Sequence, residues 1–126
     1  IERLGDTTTH VADLIGYSID NNVHLSDEAM EDYRQLSTTA LEFHTLVTDA
    51  LLENRVDILP KAEELEERLD YMRATMRDNH LSRLKAGVCH VDQGLVFTDM
   101  LNSFERLRDY LLKVSRAWVE PAATGL

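Results

Sequence analysis

A chain of 126 residues with 44% hydrophobic and 29% charged side chains has the size and composition of one folded domain. Its net charge of −10, from 23 acidic against 13 basic residues, repels phosphate backbones and anionic headgroups, which argues against nucleic acid as a partner and against direct lipid insertion. The single cysteine, Cys89, excludes an internal disulfide, and no run of about 18 apolar residues is present to span a bilayer.

Only 5 glycines and 2 prolines punctuate the chain, which favours a few long helices over many short strands. Ile1, Leu4, Val11, Ile15 and Ile19 recur at three- and four-residue steps and predict a first helix over 1–20. Asn21-Asn22 interrupts it. Ser26-Asp27-Glu28 then supplies a cap residue and two first-turn acids for a second helix. Its predicted buried stripe is Met30, Tyr33, Ala40, Val47 and Leu51, fading near Asn54-Arg55. The third helix starts around Asp57–Pro60, where proline is tolerated, and carries Ala62, Leu65, Leu69, Met72 and Met76 on through Leu84 to a stop at Gly87. The fourth begins near Asp92–Gly94 and carries Phe97, Leu101, Phe104, Leu107, Leu111, Val114 and Trp118. The last residues, Pro121 to Leu126, read as a frayed tail. Short connections between long amphipathic helices predict an all-α fold, an antiparallel up-down bundle of about four helices forming one domain over 1–126.

The two ends of the chain repeat each other. Ile1-Glu2-Arg3-Leu4-Gly5-Asp6 aligns with Phe104-Glu105-Arg106-Leu107-Arg108-Asp109, and Val11 falls against Val114. The repeat makes residues 1–20 the closing helix of a preceding unit and 26–118 a complete three-helix unit. No secretory signal is visible, and Ile1 falls inside a helical pattern, so the natural protein is expected to extend upstream, where any membrane segment would lie.

Glu2 and Asp6, and again Glu105 and Asp109, stand four residues apart, one above the other on a helix face. Asp99 and Asn102 extend the second stripe, and hard cations require several such oxygens in one coordination sphere. Acidic pairs at this spacing also occur at Asp27/Glu31, Glu28/Asp32, Asp49/Glu53, Glu63/Glu67 and Glu66/Asp70, and in an acidic helical protein such pairs are usually solvated faces. What separates the terminal pairs is their shared Glu-Arg-Leu-x-Asp context on repeat-related helices.

Those two motifs resemble the paired E(D)xxxD motifs of PhoU proteins. The block His80-x-x-Arg83-Leu84-x-x-Gly87-x-Cys89, followed by Gly94-x-x-Phe97-x-Asp99 and Asn102, is similar to the PhoU-like tail of bacterial sodium/phosphate cotransporters. The resemblance covers nearly the whole chain. It implies three-helix units and a non-enzymatic regulatory or accessory role in sodium-dependent phosphate transport at the cytoplasmic face of the inner membrane. The implied partner is the transmembrane part of the same transporter or a phosphate-transport complex, and a homo-oligomer stays open. It further implies iron or zinc on the acidic motifs, with Glu2, Asp6, Glu105 and Asp109 as ligands and Asp99 as a weaker candidate. The family often places histidine after the motif aspartate, where this chain has Thr7 and Tyr110. The alternative under the same resemblance is a fragment of a free-standing PhoU regulator of phosphate import.

Five histidines are present, and His44 and His80 fall on or beside apolar stripes, where a hydrogen-bonded core or boundary role is expected. No Glu-x-x-His, His-Glu-x-x-His, P-loop or Gly-x-Ser-x-Gly occurs, so these signatures of di-iron oxidases, zinc proteases, nucleotide hydrolases and serine hydrolases are missing. Cys89 lies next to His90, but adjacency does not make a nucleophile–base pair, and Cys89 reads as a packed small hydrophobe or an inert thiol. One rival class is a histidine phosphotransfer bundle, faintly echoed by His80-x-x-Arg83, although Leu84 stands where a glycine would follow the basic residue.

Overall fold

The computed structural model describes Asp13 and residues 25–87 and 90–119. The predicted first helix over 1–20 and the tail from Pro121 lie outside the described residues, Asp13 apart. Three long helices account for nearly all the rest: α1 (Asp27–Glu53), α2 (Leu59–Lys85) and α3 (Val91–Val119). Among the described residues there is no strand, and no helix is long and apolar enough to cross a membrane. The fold is all-α.

Local chemistry accounts for the helix ends. The Ser26 hydroxyl accepts the Ala29 amide at 3.1 Å, and Asp27 and Glu28 place negative charge beside the exposed N–H groups of the first turn. At the other end of α1, Asn54 takes a left-handed conformation (φ 58°), and the Asn54 and Arg55 amides both return to the Ala50 carbonyl. Asparagine tolerates that backbone better than most residues. Pro60 occupies the first turn of α2, where its missing N–H costs nothing, and Ile58 just before it is 2% exposed and anchors the turn. α2 closes with Arg83 and Lys85 in its last turn and with Gly87 at φ +73°, so the expected stop falls where it was read.

Every helix packs against the other two. The shared core takes Ala29, Leu36, Ala40, Phe43 and Val47 from α1; Ala62, Leu65, Leu69 and Met76 from α2; and Phe97, Met100, Leu101, Phe104 and Leu111 from α3. Tyr33 of α1 meets Phe104 edge-on with ring centroids 6.1 Å apart. Contacts of α2 run in opposite chain order to those of both neighbours. Arg83 near its end meets Glu28 near the start of α1, whereas Arg68 meets Glu42. Toward α3, Arg77 donates to Asn102 and Arg108 reaches back to Asp70. Trp118 on the last turn of α3 donates its indole N–H to the Arg55 carbonyl, tying the α1–α2 connection to the far end of the bundle.

The α2 and α3 stripes match the sequence pattern, but that of α1 is rotated. Leu36, Phe43 and Ala50 are fully buried, Met30 and Tyr33 are only half-buried, and Leu51 is 39% exposed. The structure selects a seven-residue series, Ala29-Leu36-Phe43-Ala50, interleaved with Ala40 and Val47. Additional leucines at 41, 51 and 52 spread apolar character around the helix and blur its period. Leu84, expected to continue the α2 stripe, is likewise 39% exposed.

Substituting Leu36→Ala, at 0% exposure, is expected to cost about 2–5 kcal/mol, because removed methyl groups leave a cavity that three helices cannot close together. Leu52→Ala on the same helix, at 80% exposure, should stay within about 0.5 kcal/mol. Urea denaturation of the two variants checks the orientation of α1; equal costs would contradict it.

Candidate functional site

The second acidic motif lies on α3 where it borders α2. Glu105 and Asp109 are both half-buried, and each faces an arginine. Asp109 receives Arg108 Nη2 at 2.8 Å, and Glu105 Oε2 lies 3.8 Å from Arg73 Nη1. The two arginines meet at a third carboxylate that belongs to α2: Asp70 Oδ1 is 2.6 Å from Arg108 Nη1 and 3.1 Å from Arg73 Nη2. Glu66, one turn earlier, stands 3.6 Å from Arg108. Four carboxylates therefore surround two guanidinium groups along the α2–α3 seam. The guanidinium side chains are the covered members, at 12% and 15% exposure for Arg108 and Arg73.

Electrostatics follow this layout. The hydrogen bond from Arg73, joined by that from Arg108, outweighs partial burial and holds the Asp70 carboxyl below the usual carboxylate range. Burial works against the charged form of Arg108, but Asp109 and then Asp70 outweigh it and raise its pKa further. Asp99, the weaker candidate, is half-buried and earlier on α3, where its backbone carbonyl accepts the Ser103 hydroxyl at 2.9 Å. Glu2 and Asp6 lie outside the described residues.

The resemblance implies iron or zinc here, and the described carboxylates do not fit that role as placed. Among the described residues, no group of three His, Cys, Asp or Glu side chains is positioned to hold an ion. A metal at Glu105 and Asp109 would compete with the positive charge of Arg108, hydrogen-bonded to Asp109, and of Arg73, 3.8 Å from Glu105. Sequence reading singled out Glu105 and Asp109 but missed Arg108, Arg73, Asp70 and Glu66. A signal was present, because Glu66/Asp70 was among the acidic pairs and Arg108 fills the variable position of the motif.

A second cluster sits where α1 begins, α2 ends and α3 begins. His80 is 4% exposed and packs its ring on Phe97 at 5.0 Å between centroids, while the Arg83 guanidinium lies 5.4 Å from the centre of the same ring. Gly94 lies against the same ring, where a Cβ would stand 3.4 Å from two ring atoms of His80, at the edge of ordinary van der Waals contact. Ser26, Gln93, His80, Arg83 and Phe97 line a cavity of about 10 Å³, room for about one water molecule. Burial, reinforced by the Arg83 charge, pushes the His80 pKa below its ordinary value and so favours the neutral ring. Burial raises the pKa of Asp32, against the pull of Arg83. His80 is thus a core histidine, its ring packed on Phe97. His44, expected on or beside a stripe, is exposed because α1 turns its Phe43 and Val47 inward instead. Cys89 lies outside the described residues.

Comparison with models of known protein families finds no match, and no characterised protein or solved structure shows significant similarity to the chain.

The buried imidazole has a consequence for stability against pH. His80 binds its proton less readily folded than unfolded, so it opposes folding only where the unfolded chain is protonated, below about pH 6.5. The penalty is absent above that pH and grows as pH falls toward the folded pKa. Urea midpoints at pH 7.5, 6.5 and 5.5 are expected to fall for the parent more than for His80→Phe, a difference that cancels the remaining histidines. Parallel declines would refute a buried neutral His80.

Proposed function

We propose that this chain is a PhoU-like accessory domain of a sodium-dependent phosphate transporter, placed at the cytoplasmic face of the inner membrane and acting without catalysis. The observation that carries the reading is the coincidence of the three packed helices, 27–119, with the repeat unit read at 26–118. Under this reading the preceding segment 1–20 closes an earlier unit, and the helices run up and down within an antiparallel bundle. The opposite order of contacts along α2 relative to its neighbours supports that arrangement.

The mechanism we assign is mechanical. Helices of 27 to 29 residues are about 40 Å long, and a shared core couples their ends. A contact made at one end of such a bundle is transmitted as a rigid displacement to the other. The acidic exterior suits a partner surface bearing lysine and arginine, such as cytoplasmic loops of a membrane protein, in which those residues are enriched.

Deleting residues 26–119 in frame from the natural gene tests the reading. Phosphate uptake at a fixed sodium gradient is expected to change in the host, whereas sodium-coupled uptake of an unrelated solute should not. Unaltered phosphate uptake with normal protein abundance would reject the assignment.

A further inference from the structure

We infer that Arg108 and Arg73 serve as built-in cations for the second acidic motif, so that Glu105 and Asp109 join α2 to α3 through arginine and do not act as metal ligands. The geometry carries this on three points. Arg108 spans both helices, donating to Asp109 at 2.8 Å on its own helix and to Asp70 at 2.6 Å across the seam. Arg73 answers from α2, reaching Asp70 at 3.1 Å and approaching Glu105 of α3 at 3.8 Å. Both guanidinium groups are more covered than the Asp70, Glu105 and Asp109 carboxylates, so a cation arriving from solvent meets acids that already have a positive charge beneath them.

The repeat supplies an independent point. The motif reads Glu-Arg-Leu-Gly-Asp at its first occurrence and Glu-Arg-Leu-Arg-Asp at its second. The one position where the two differ is Arg108 against Gly5, and Arg108 is the residue that neutralises Asp109. The second copy carries its own counter-charge, and the first has none at that position. The two motifs, alike in their acids, therefore differ in the charge that they carry within themselves. A planar guanidinium also satisfies carboxylates directionally, through fixed N–H donors, which binds α2 and α3 in one register. This inference stands apart from the transport reading and survives its failure.

The test uses the full chain, its Glu105→Gln/Asp109→Asn variant, and Arg108→Gln with Arg108→Lys beside it. Each protein is reconstituted with zinc or with iron and desalted, and metal content and Tm are then measured. Metal retention by the double variant is expected to equal that of the parent, whether both hold none or both hold an ion elsewhere. An ion bound by the parent and lost from the double variant would overturn the inference. Arg108→Gln is expected to lower Tm by about 3–8 °C in metal-free buffer, with Arg108→Lys in between. If Arg108→Gln does not fold, a lowered Tm in Arg108→Lys serves as the expected result. Unchanged Tm in a folded Arg108→Gln would overturn it.

Discussion

Each helix presents its apolar stripe to both of the others, and this three-way sharing is the constraint from which the remaining structure follows. Leu36 and Phe43, Leu65, and Phe97, Leu101 and Leu111 come from three different helices, and all are 0 or 1% exposed. Burying one such side chain contributes about 1.5–3 kcal/mol, against a net stability of about 5–15 kcal/mol for a typical domain. Loss of any one helix would strip the apolar faces of the other two, so none of the three is an optional layer. The apolar contacts fix which faces meet, yet they are non-directional and tolerate sliding along the helix axes.

Register comes from α2, the most polar of the three helices. Its arginines reach both ways, Arg68 and Arg83 toward α1 and Arg73 and Arg77 toward α3. Exposed pairs of this kind add little stability, typically about 0.2–1 kcal/mol, and Arg68 with Glu42 belongs to that class. Arg108 and Arg73 differ, because coverage reduces screening and several carboxylates share them. A slide of one helical turn would set Arg108 against different residues of α2 and leave Asp70 without one of its donors. Directional pairs at the seam thus select among alignments that the core alone would permit.

Much of this was legible in the sequence wherever a residue acts through its own backbone. Ser26, Asn54, Pro60 and Gly87 each impose a local preference that no distant contact overrides, and the helix ends fall there. The stripes of α2 and α3 were legible too, since each has one dominant apolar face. On α1 leucines also stand outside the core face, so periodicity admits two readings about a sixth of a turn apart, and only the facing helices decide between Phe43 and Leu51. His44 and His80 show the same division. Both stand beside apolar residues in sequence, but only His80 meets a facing aromatic ring and the Gly94 backbone of α3.

The candidate site was less legible for a related reason. A spacing of four places two carboxylates on one face, but it does not say which charge stands opposite, and that charge belongs to another helix. Asp70 and Arg73 lie more than thirty residues before Asp109 and Glu105, a separation at which sequence pattern carries no pairing information. The same acidic pair can hold a metal, face water or bind an arginine, and these outcomes differ by what the neighbouring helix supplies at that height. Arg108 tips the balance because it lies on the motif itself and leans across the seam to Asp70. In a protein with many more acids than bases, a covered arginine shared by several carboxylates relieves repulsion that would otherwise push α2 and α3 apart. The acidic surface and the close α2–α3 contact are compatible because the cations lie beneath the acids.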